Sequence, residues 1–303
     1  MELEFKPVVA GDIDRLRPFY GMRPNKTCDS VFLDSFLWKD YYHVQCAVSE
    51  GRAALWLMEK DGRVSTAMPL CREEDLPYFF QQMVDYFSGV LHKPFYISLA
   101  DEEAVQCLNL DPALFEVEEQ VDLKDYLYSG EELRKLEGKK FVKKRNHLNG
   151  FKRTYEGRYE YRRLCCSDRH EVWQFMERWR QHKEEVGAME LSLDYEVAGI
   201  HDILKNCSSL YVRMAGVYID GQLEAFTIGS LNVRENMAVI HIEKANPEIR
   251  GLYQFINQQF LINEFPQAEL VNREDDVGME GLRKAKMSYC PIGFARKYMV
   301  RER

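Results

Sequence analysis

Two side chains on one predicted strand could act as a general base. Residues 238–242 form an apolar run rich in β-branched residues, which predicts a buried strand on which alternation puts His241 and Glu243 on one face. An amine that attacks an acyl group needs a base, and a histidine or a partly buried glutamate can have a suitable pKa. For Glu243 we favour a base over an ion pair with Lys244 or Arg250. For His241 we favour a hydrogen-bonded histidine of the core.

The turn that follows this strand could bind an anion. Asn246-Pro247-Glu248 and Arg250-Gly251 lead from the strand into a helix whose apolar residues have helical spacing. Free backbone N–H groups and the positive end of the helix dipole suit a phosphate at such a start. The alternative is a turn in which Gly251 has a positive φ and Arg250 lies at the surface. The candidate donor-binding residues of this turn are Lys244, Ala245, Arg250, Gly251, Leu252 and Tyr253.

Further candidates come from the next strand and helix. Asn272 ends a predicted strand at residues 268–272, and its amide could orient an amide-containing ligand. Arg283 and Lys286 lie on a predicted helix at residues 279–287 and could hold a phosphate. Capping of the strand end by Asn272 and solvated charges on the helix are the alternatives.

A basic segment divides the chain. Residues 130–155 predict one long helix with an apolar face and a basic face. The basic face could follow a tRNA acceptor stem or another polyanion, and such binding would depend strongly on salt. Charge runs are also typical of a helix face that is only solvated. The residues that could contact the polyanion are Lys139, Lys143, Lys144, Arg145 and Asn146.

The order of predicted elements is the same on both sides of this segment. The first half reads β-α-α-β-β-β-α-β-α-β, and the second half repeats the order without residue-level similarity. This predicts a mixed α/β (α+β) fold with two tandem domains, at residues 1–129 and 158–303, joined by a basic linker helix at 130–157. Each domain would be a mainly antiparallel sheet flanked by helices. The first half has an acidic helix start at the equivalent turn, Cys71-Arg72-Glu73-Glu74, so we place the active site in the second half.

Composition limits the classes of partner. The 303 residues carry a net charge of −8, which excludes a general nucleic-acid binder and requires a local basic patch for any anionic partner. No apolar run reaches the ~20 residues of a membrane span, and no signal peptide is apparent, so we expect a cytoplasmic protein. The eight cysteines are scattered without metal-ligand spacing. They predict free or buried thiols in a reducing compartment and no metal site.

Three stretches resemble a known family. They are KKFVKKRNHLNGF at 139–151, HIEKANPEIRGLYQFIN at 241–257 and NREDDVGMEGLRKAKMSYCP at 272–291. They are similar to stretches of the family named for the C-terminal domain of phosphatidylglycerol lysyltransferase, and the element order resembles the GNAT acyltransferase fold. The resemblance covers essentially the whole chain and implies two GNAT-like domains in tandem. It also implies kinship with enzymes that move an aminoacyl group from charged tRNA to a lipid or a peptidoglycan precursor.

The resemblance also implies a role for Tyr289. Residues 289–294 resemble the Tyr-x-x-x-Gly-Phe ending of GNAT domains, where the tyrosine hydroxyl protonates a leaving thiolate. For an aminoacyl ester the leaving group would be a ribose oxygen, which also needs a proton donor. A tyrosine that caps the helix and packs on the core is the alternative. GNAT enzymes that use coenzyme A usually carry Gln/Arg-x-x-Gly-x-Gly/Ala at the turn, and Tyr253 stands where the last small residue is expected.

Three functions follow as hypotheses. The first is transfer of an aminoacyl group from aminoacyl-tRNA to an amine or hydroxyl, with Glu243 as base, Tyr289 as acid and no metal. The second is N-acetylation of a small amine by acetyl coenzyme A, and the third is non-catalytic binding of a ligand or nucleotide. The expected partners are tRNA and a small-molecule or peptide acceptor, with peripheral contact to lipid left open.

Overall fold

The computed structural model describes residues 3–185 and 192–303, with the side chains of 183–185 and 192 excepted. It has the mixed α+β fold that the sequence predicts. The strands are β1 Lys6–Pro7, β2 Gln45–Ser49, β3 Ala53–Lys60, β4 Arg63–Ser65, β5 Tyr96–Asp101, β6 Phe115–Glu119, β7 Asp125–Ser129, β8 Tyr159–Arg163, β9 Arg213–Ile219, β10 Gln222–Asn232, β11 Met237–Ala245, β12 Leu270–Asn272, β13 Gly293–Ala295 and β14 Lys297–Glu302. The helices are α1 Ile13–Tyr20, α2 Phe32–Leu37, α3 Leu76–Tyr86, α4 Glu102–Leu108, α5 Gly130–Lys135, α6 Val142–Thr154, α7 Arg169–Glu185, α8 Ser192–Asn206, α9 Leu252–Glu264 and α10 Glu280–Met287. The predicted end of α7, at residue 186, lies outside the described residues.

A seven-stranded sheet dominates the second half. Its strand order is β13-β7-β12-β11-β10-β9-β8, and of these neighbours only β11 and β12 run parallel. The β9–β10 hairpin follows from its turn, because Asp220 and Gly221 both have the positive φ of a two-residue turn that matches the strand twist. Helix α9 packs on one face of this sheet, and its apolar residues form a core with α5 and α6. The other face meets α7, α8 and the first half of the chain.

The two halves exchange strands. Strand β7 comes from the first half but pairs with β12 and β13 of the second half. In return, β14 lies between β5 and β6 in a three-stranded sheet of the first half. The sequence predicted no strand at 125–129 and a single final strand in place of β13 and β14. The domain boundary at residue 129 stays a prediction, but the sheets cross it.

The basic segment is two helices instead of the one that was predicted. Leu136 and Gly138 have positive φ, at 52° and 83°, which ends α5 and separates it from α6. Arg145 of α6 fixes this break by donating hydrogen bonds to the carbonyls of Leu136 and Gly138. The apolar face is confirmed, since Phe141 and Phe151 are fully buried.

One cysteine pair departs from the prediction of free thiols. Cys166, just before α7, and Cys207, just after α8, form a disulfide with a Cα–Cα distance of 5.8 Å. The two cysteines are 41 residues apart in the sequence but close in the fold, so their spacing did not predict the pairing. None of the described helices combines the length and apolar character required to cross a bilayer.

Candidate active site

Strands β11 and β12 separate at the centre of the large sheet. Their parallel pairing begins at Met237 with Leu270 and ends at Val239 with Asn272. Strand β12 stops there, whereas β11 continues to Ala245. The gap between the two strands is therefore lined by the second half of β11 and by the residues that follow β12.

A β-bulge in β11 decides which side chains reach each face of this gap. Ile228 of β10 pairs with Ile242, but the next residue of β10, Gly229, pairs with Ile240, so His241 is the extra residue. Alternation restarts after the bulge, and Ile240 and Ile242 consequently belong to cores on opposite faces of the sheet. The prediction that His241 and Glu243 share a face is wrong for this reason.

Glu243 lies on the face that α9 covers. Its Oε1 accepts a hydrogen bond from Arg273 Nη2 at 2.8 Å, and its Oε2 accepts one from Asn257 Nδ2 at 2.7 Å. The ion-pair partner is therefore Arg273, not Lys244 or Arg250. Arg273 lies over the ring of Tyr289 at 4.7 Å, and its buried Nη1 has no hydrogen-bond partner. A buried guanidinium N–H without a partner can donate to a negative charge that develops beside it.

The ring of Tyr289 contacts two cations, Lys144 and Arg273. It is 5% exposed, and the Lys144 ammonium sits 3.9 Å from the centre of its ring while donating a hydrogen bond to Ser288 Oγ at 2.5 Å. Burial raises the pKa of Tyr289 to about 12; Arg273 opposes this shift and Glu243 adds to it. Burial, helped by Arg273, lowers the pKa of Lys144 to about 8. Tyr289 thus keeps its proton at neutral pH, as a proton donor must. We call Glu243, Arg273, Tyr289 and Lys144 the α9-face cluster.

The opposite face of the gap carries a second chain of polar groups. Ser230 Oγ lies 2.8 Å from His241 Nε2, and His241 Nδ1 lies 3.0 Å from Glu274 Oε1. The imidazole is completely buried, and the backbone N–H of Glu274 donates to Asn272 Oδ1 at 2.6 Å. The histidine is hydrogen-bonded within the core, as predicted. A carboxylate on one nitrogen and a hydroxyl on the other is also the arrangement that orients a histidine for proton transfer. We call Ser230, His241 and Glu274 the bulge triad.

One set of side chains among the described residues has the geometry of metal ligands. Cys28, Asp34 and Glu274 have donor atoms within 4.8 Å of one another. Lys297 Nζ, however, donates to Cys28 Sγ at 3.2 Å, and burial, reinforced by Asp125, raises the pKa of this thiol. Only a thiolate is a good ligand, so the set is poorly suited to a metal ion.

The predicted anion-binding turn is covered by α6. Gly251 has the expected positive φ, 88°, and a Cβ at its position would lie 2.2 Å from the carbonyl oxygen of His147. Arg250 is exposed and donates from Nε to His147 Nδ1 at 3.3 Å. Leu252 is buried in the core, and burial raises the pKa of Tyr253 against the opposing effects of the Ala245 backbone and the Trp179 side chain. The first turn of α9 is thus packed against α6.

Four predicted ligand-binding residues have partners within the protein. Lys244 pairs with Glu196 at 2.6 Å on the face opposite Glu243, and Asn272 donates to the carbonyl of Lys26 at 2.8 Å and to Asp125 at 3.0 Å. Arg283 pairs with Asp276 and Asp122, and Lys286 donates to the carbonyls of Arg273 and Asp275. Lys244 thus ties β11 to α8, whereas the contacts of Asn272, Arg283 and Lys286 fix the end of β12 and the loop that carries Arg273 and Glu274.

The basic residues of α6 separate into two groups. Lys139, Lys143 and Asn146 are exposed and available to a partner, whereas Arg145 holds the break before α6. Lys144 alone turns towards the gap, where it covers Tyr289. Lys139, Lys143 and Asn146 are thus exposed residues of this segment, and Lys144 is the residue of the segment that contacts Tyr289.

The sequence analysis did not single out Arg273, Glu274 or Ser230. The NREDD run places charged residues directly after a predicted strand, but it does not reveal their faces, because the strand ends at Asn272 and Glu274 has a positive φ of 58°. Ser230 had no comparable signal, since its role depends on pairing across the hairpin.

Comparison with known proteins agrees with this architecture. The profile of the family described as "Phosphatidylglycerol lysyltransferase, C-terminal" matches residues 23–301. A conserved protein of unknown function from Bacteroides thetaiotaomicron is 27% identical, with a TM-score of 0.90 and 100% of both chains covered. The C-terminal domain of a putative lysylphosphatidylglycerol synthetase from Agrobacterium fabrum has a TM-score of 0.69 at 17% identity, over 96% of this chain and 91% of that one. This likeness shows the fold.

One curated relative matches over a shorter stretch of the chain. An uncharacterized protein of Mycoplasmoides gallisepticum is 28% identical over 178 residues, which are 58% of this chain and 56% of that protein. The match thus spans about half the length of this relative. The family match, by contrast, extends over nearly all of the chain and includes both faces of the gap. The chain therefore belongs to the family of phosphatidylglycerol lysyltransferase C-terminal domains.

Proposed function

We propose that the protein transfers an aminoacyl group from aminoacyl-tRNA to an amine or hydroxyl acceptor. The observation that carries the proposal is the gap between β11 and β12, which has a proton donor on one face and a proton acceptor on the other. Tyr289 keeps its proton on the α9 side, and His241 is held between Ser230 and Glu274 on the far side. Acyl transfer needs both groups near one carbonyl carbon.

The donor enters from the α9 face in this proposal. The exposed Lys139 and Lys143 contact phosphates of the acceptor stem, while Lys144 lies at the entrance to the gap. The unpartnered Nη1 of Arg273 donates to the carbonyl oxygen as it becomes an oxyanion. Glu243 positions this guanidinium together with Asn257, and we assign the role of base to His241, which is buried and receives the proton through the hydroxyl of Ser230.

The acceptor reaches the same carbonyl from the opposite face. The hydroxyl of Ser230 takes a proton from the acceptor nitrogen or oxygen while that atom forms a bond to the carbonyl carbon, and Ser230 passes its own proton to His241 Nε2. The ester C–O bond to the ribose then breaks, and the ribose oxygen takes a proton from Tyr289. Solvent returns one proton to Tyr289 and removes one from His241, which completes the cycle.

The packing of α6 on the α9 turn favours this donor over acetyl coenzyme A. A pyrophosphate at the turn needs backbone N–H groups that are open to solvent. The carbonyl of His147 instead sits against Gly251. Tyr253 adds bulk where coenzyme A enzymes usually have a small residue.

The test compares the two donors directly. Bulk tRNA charged with ¹⁴C-labelled amino acids, or [³H]acetyl coenzyme A, is incubated with the protein and either a pool of primary amines or vesicles of phosphatidylglycerol. We expect acceptor-dependent transfer of ¹⁴C that is lost in His241→Gln. Consumption of acetyl coenzyme A without use of aminoacyl-tRNA would reject the proposal. Equal transfer by wild type and His241→Gln would reject the assignment of the base, and no transfer of either label would favour a non-catalytic protein.

A further inference from the structure

A small cavity lies in the first half of the protein, on the side of the large sheet that carries the bulge triad. Its volume is about 90 Å³, which is enough for a small organic group and too small for a drug-sized ligand. Aromatic rings of Trp38, Tyr42 and Trp56 form part of its lining. Its charged lining residues are Arg23, Asp29, Asp34 and Asp101.

Two of these lining residues have buried polar atoms without a hydrogen-bond partner. Arg23 is 4% exposed, and both of its Nη atoms bond to Asp101 at 2.6 Å, but its Nε has no acceptor. Asp29 Oδ2 is also buried without a donor. Orphaned atoms of this kind are rare in native proteins and indicate a missing ligand or water. A ligand that satisfied both atoms would accept a hydrogen bond from Arg23 Nε and donate one to Asp29 Oδ2.

The cavity has more carboxylates than cations. Asp34 is 7% exposed, and burial together with Asp29 and Glu274 raises its pKa well above the ordinary range. Lys297 is the nearby buried cation, but it pairs with Asp125 at 2.7 Å and is 3.9 Å from Asp29. A further positive charge at Asp34 would offset the repulsion among these acids.

Asp34 also connects the cavity to the bulge triad. Its carboxylate comes within 4.8 Å of the Glu274 carboxylate, which in turn contacts His241. A molecule whose nitrogen lies at Asp34 is therefore one side chain away from the base that the proposed reaction uses.

We propose that this cavity binds a small primary amine, with its ammonium between Asp29 and Asp34 and its carbon chain against the aromatic rings. The inference rests on the proposed function in one respect, namely that this amine is the acceptor: its ammonium gives one proton to Asp34, and the neutral nitrogen gives a second one to the bulge triad as it bonds to the carbonyl carbon. Aromatic faces attract organic cations, whereas a metal ion prefers oxygen ligands and would face the ammonium of Lys297 beside Cys28. Arg23 Nε is then free for an oxygen atom of a longer acceptor.

Calorimetric titration tests the site without reference to catalysis. The probes are butylamine and 1,4-diaminobutane, with 1-butanol as the neutral match and MgCl₂ and ZnCl₂ as metal probes. We expect the amines to bind the wild-type protein, and Asp34→Asn to weaken them by at least about tenfold, because the substitution removes one partner of a buried charge pair. The control, Asp40→Asn, removes an exposed acid of the same segment that pairs with Lys39, and should bind like wild type. Thermal unfolding of both variants verifies that they fold, and if Asp34→Asn does not, Tyr42→Leu replaces it and should weaken the amines.

Several outcomes would overturn the site. These are equal binding of butanol and butylamine, equal binding by the wild type and the cavity variant, and binding of Mg²⁺ or Zn²⁺ that displaces the amines. Amine binding without any transfer of the ¹⁴C label would leave the site intact and reject the proposed function. Transfer of the label to phosphatidylglycerol without any amine binding would support the proposed function and reject the amine site.

Discussion

Glu243 and His241 lie two positions apart on β11 and point to opposite faces of the sheet. The extra residue of the bulge causes this, because alternation along a strand holds only while the pairing register is constant. One consequence is that Glu243 joins Arg273 and Tyr289, while His241 joins Ser230 and Glu274. The acid and the base of the proposed reaction therefore lie on opposite faces of the sheet.

Substitutions in the bulge triad test the proposed base. His241→Gln should lower kcat for aminoacyl transfer by about 10²–10⁴-fold, the usual contribution of a positioned base. Glu274→Gln should have a smaller effect and should change the pH–rate profile, because the imidazole loses the carboxylate that orients it. Ser230→Ala should also lower kcat, since it removes the hydroxyl that passes the acceptor's proton to His241. Full activity in His241→Gln, measured by ¹⁴C transfer, would contradict the assignment.

Tyr289→Phe separates acid catalysis from packing. The ring remains in place under Lys144, so we expect the fold to be kept and kcat to fall by about 10²-fold or more with little change in KM. Tyr155→Phe, on a partly buried tyrosine of the same core, is the control and should be silent. If Tyr289 has only a packing role, Tyr289→Phe and Tyr155→Phe should have the same kcat.

Lys144 should make stability depend on pH in the alkaline range. Its pKa is about 8 in the folded protein, chiefly through burial, and about 10.4 in an unfolded chain. The unfolded state binds more protons between these values, so Lys144 contributes a rise in stability from pH 8 to about 10.4. Urea unfolding of Lys144→Met at pH 7.5 and pH 10 should therefore show a smaller gain with pH than the wild type. If the free energy of unfolding changed equally with pH in the wild type and in Lys144→Met, the burial of this ammonium would be disproved.

Two glycines, one at the contact of α9 with α6 and one on the open side of α6, should respond in opposite ways to alanine. Gly251→Ala forces a side chain into a positive φ and against the His147 carbonyl, so we expect a loss of more than about 2 kcal/mol. Gly150→Ala, on α6 with open space around it, should stabilise by about 0.5–1 kcal/mol through helix propensity. Urea unfolding measures both, and a neutral Gly251→Ala would mean that α6 does not cover the turn.

Salt-dependent binding tests the basic surface. Lys143→Glu should weaken binding of bulk tRNA, and loss of one phosphate contact should reduce the slope of log K against log salt by about 1. Lys93→Glu makes the same charge change on an exposed residue of the first half and serves as the control. Filter binding at several salt concentrations gives both slopes. Identical slopes would exclude the α6 surface from tRNA binding.

Local patterns were sufficient to predict much of the second half. The change from β-branched residues to helical spacing around Gly251 correctly predicted β11, the turn and α9, since these depend on neighbours in sequence. The apolar face of the basic segment was predicted for the same reason. The family resemblance supplied the fold and the proposed class of reaction.

Features that depend on distant partners were not predicted. Strand β7 is recognisable only through its pairing with β12 and β13, which lie far along the chain. The bulge at His241 depends on the register with β10, and the pairing of Glu243 with Arg273 depends on where two strands separate. The break at Leu136 was missed because a leucine with positive φ has no sequence signal.

The place of β14 between β5 and β6 has a consequence for synthesis on the ribosome. The sheet that it completes cannot close until residues 297–302 have been translated, so β5 and β6 each keep a bare edge while the residues between β6 and β14 are made. A nascent chain in that condition is open to mispairing with its neighbours on a polysome. Premature stop codons shortly before Lys297 should accordingly yield insoluble protein, even though the whole gap between β11 and β12 has already been made.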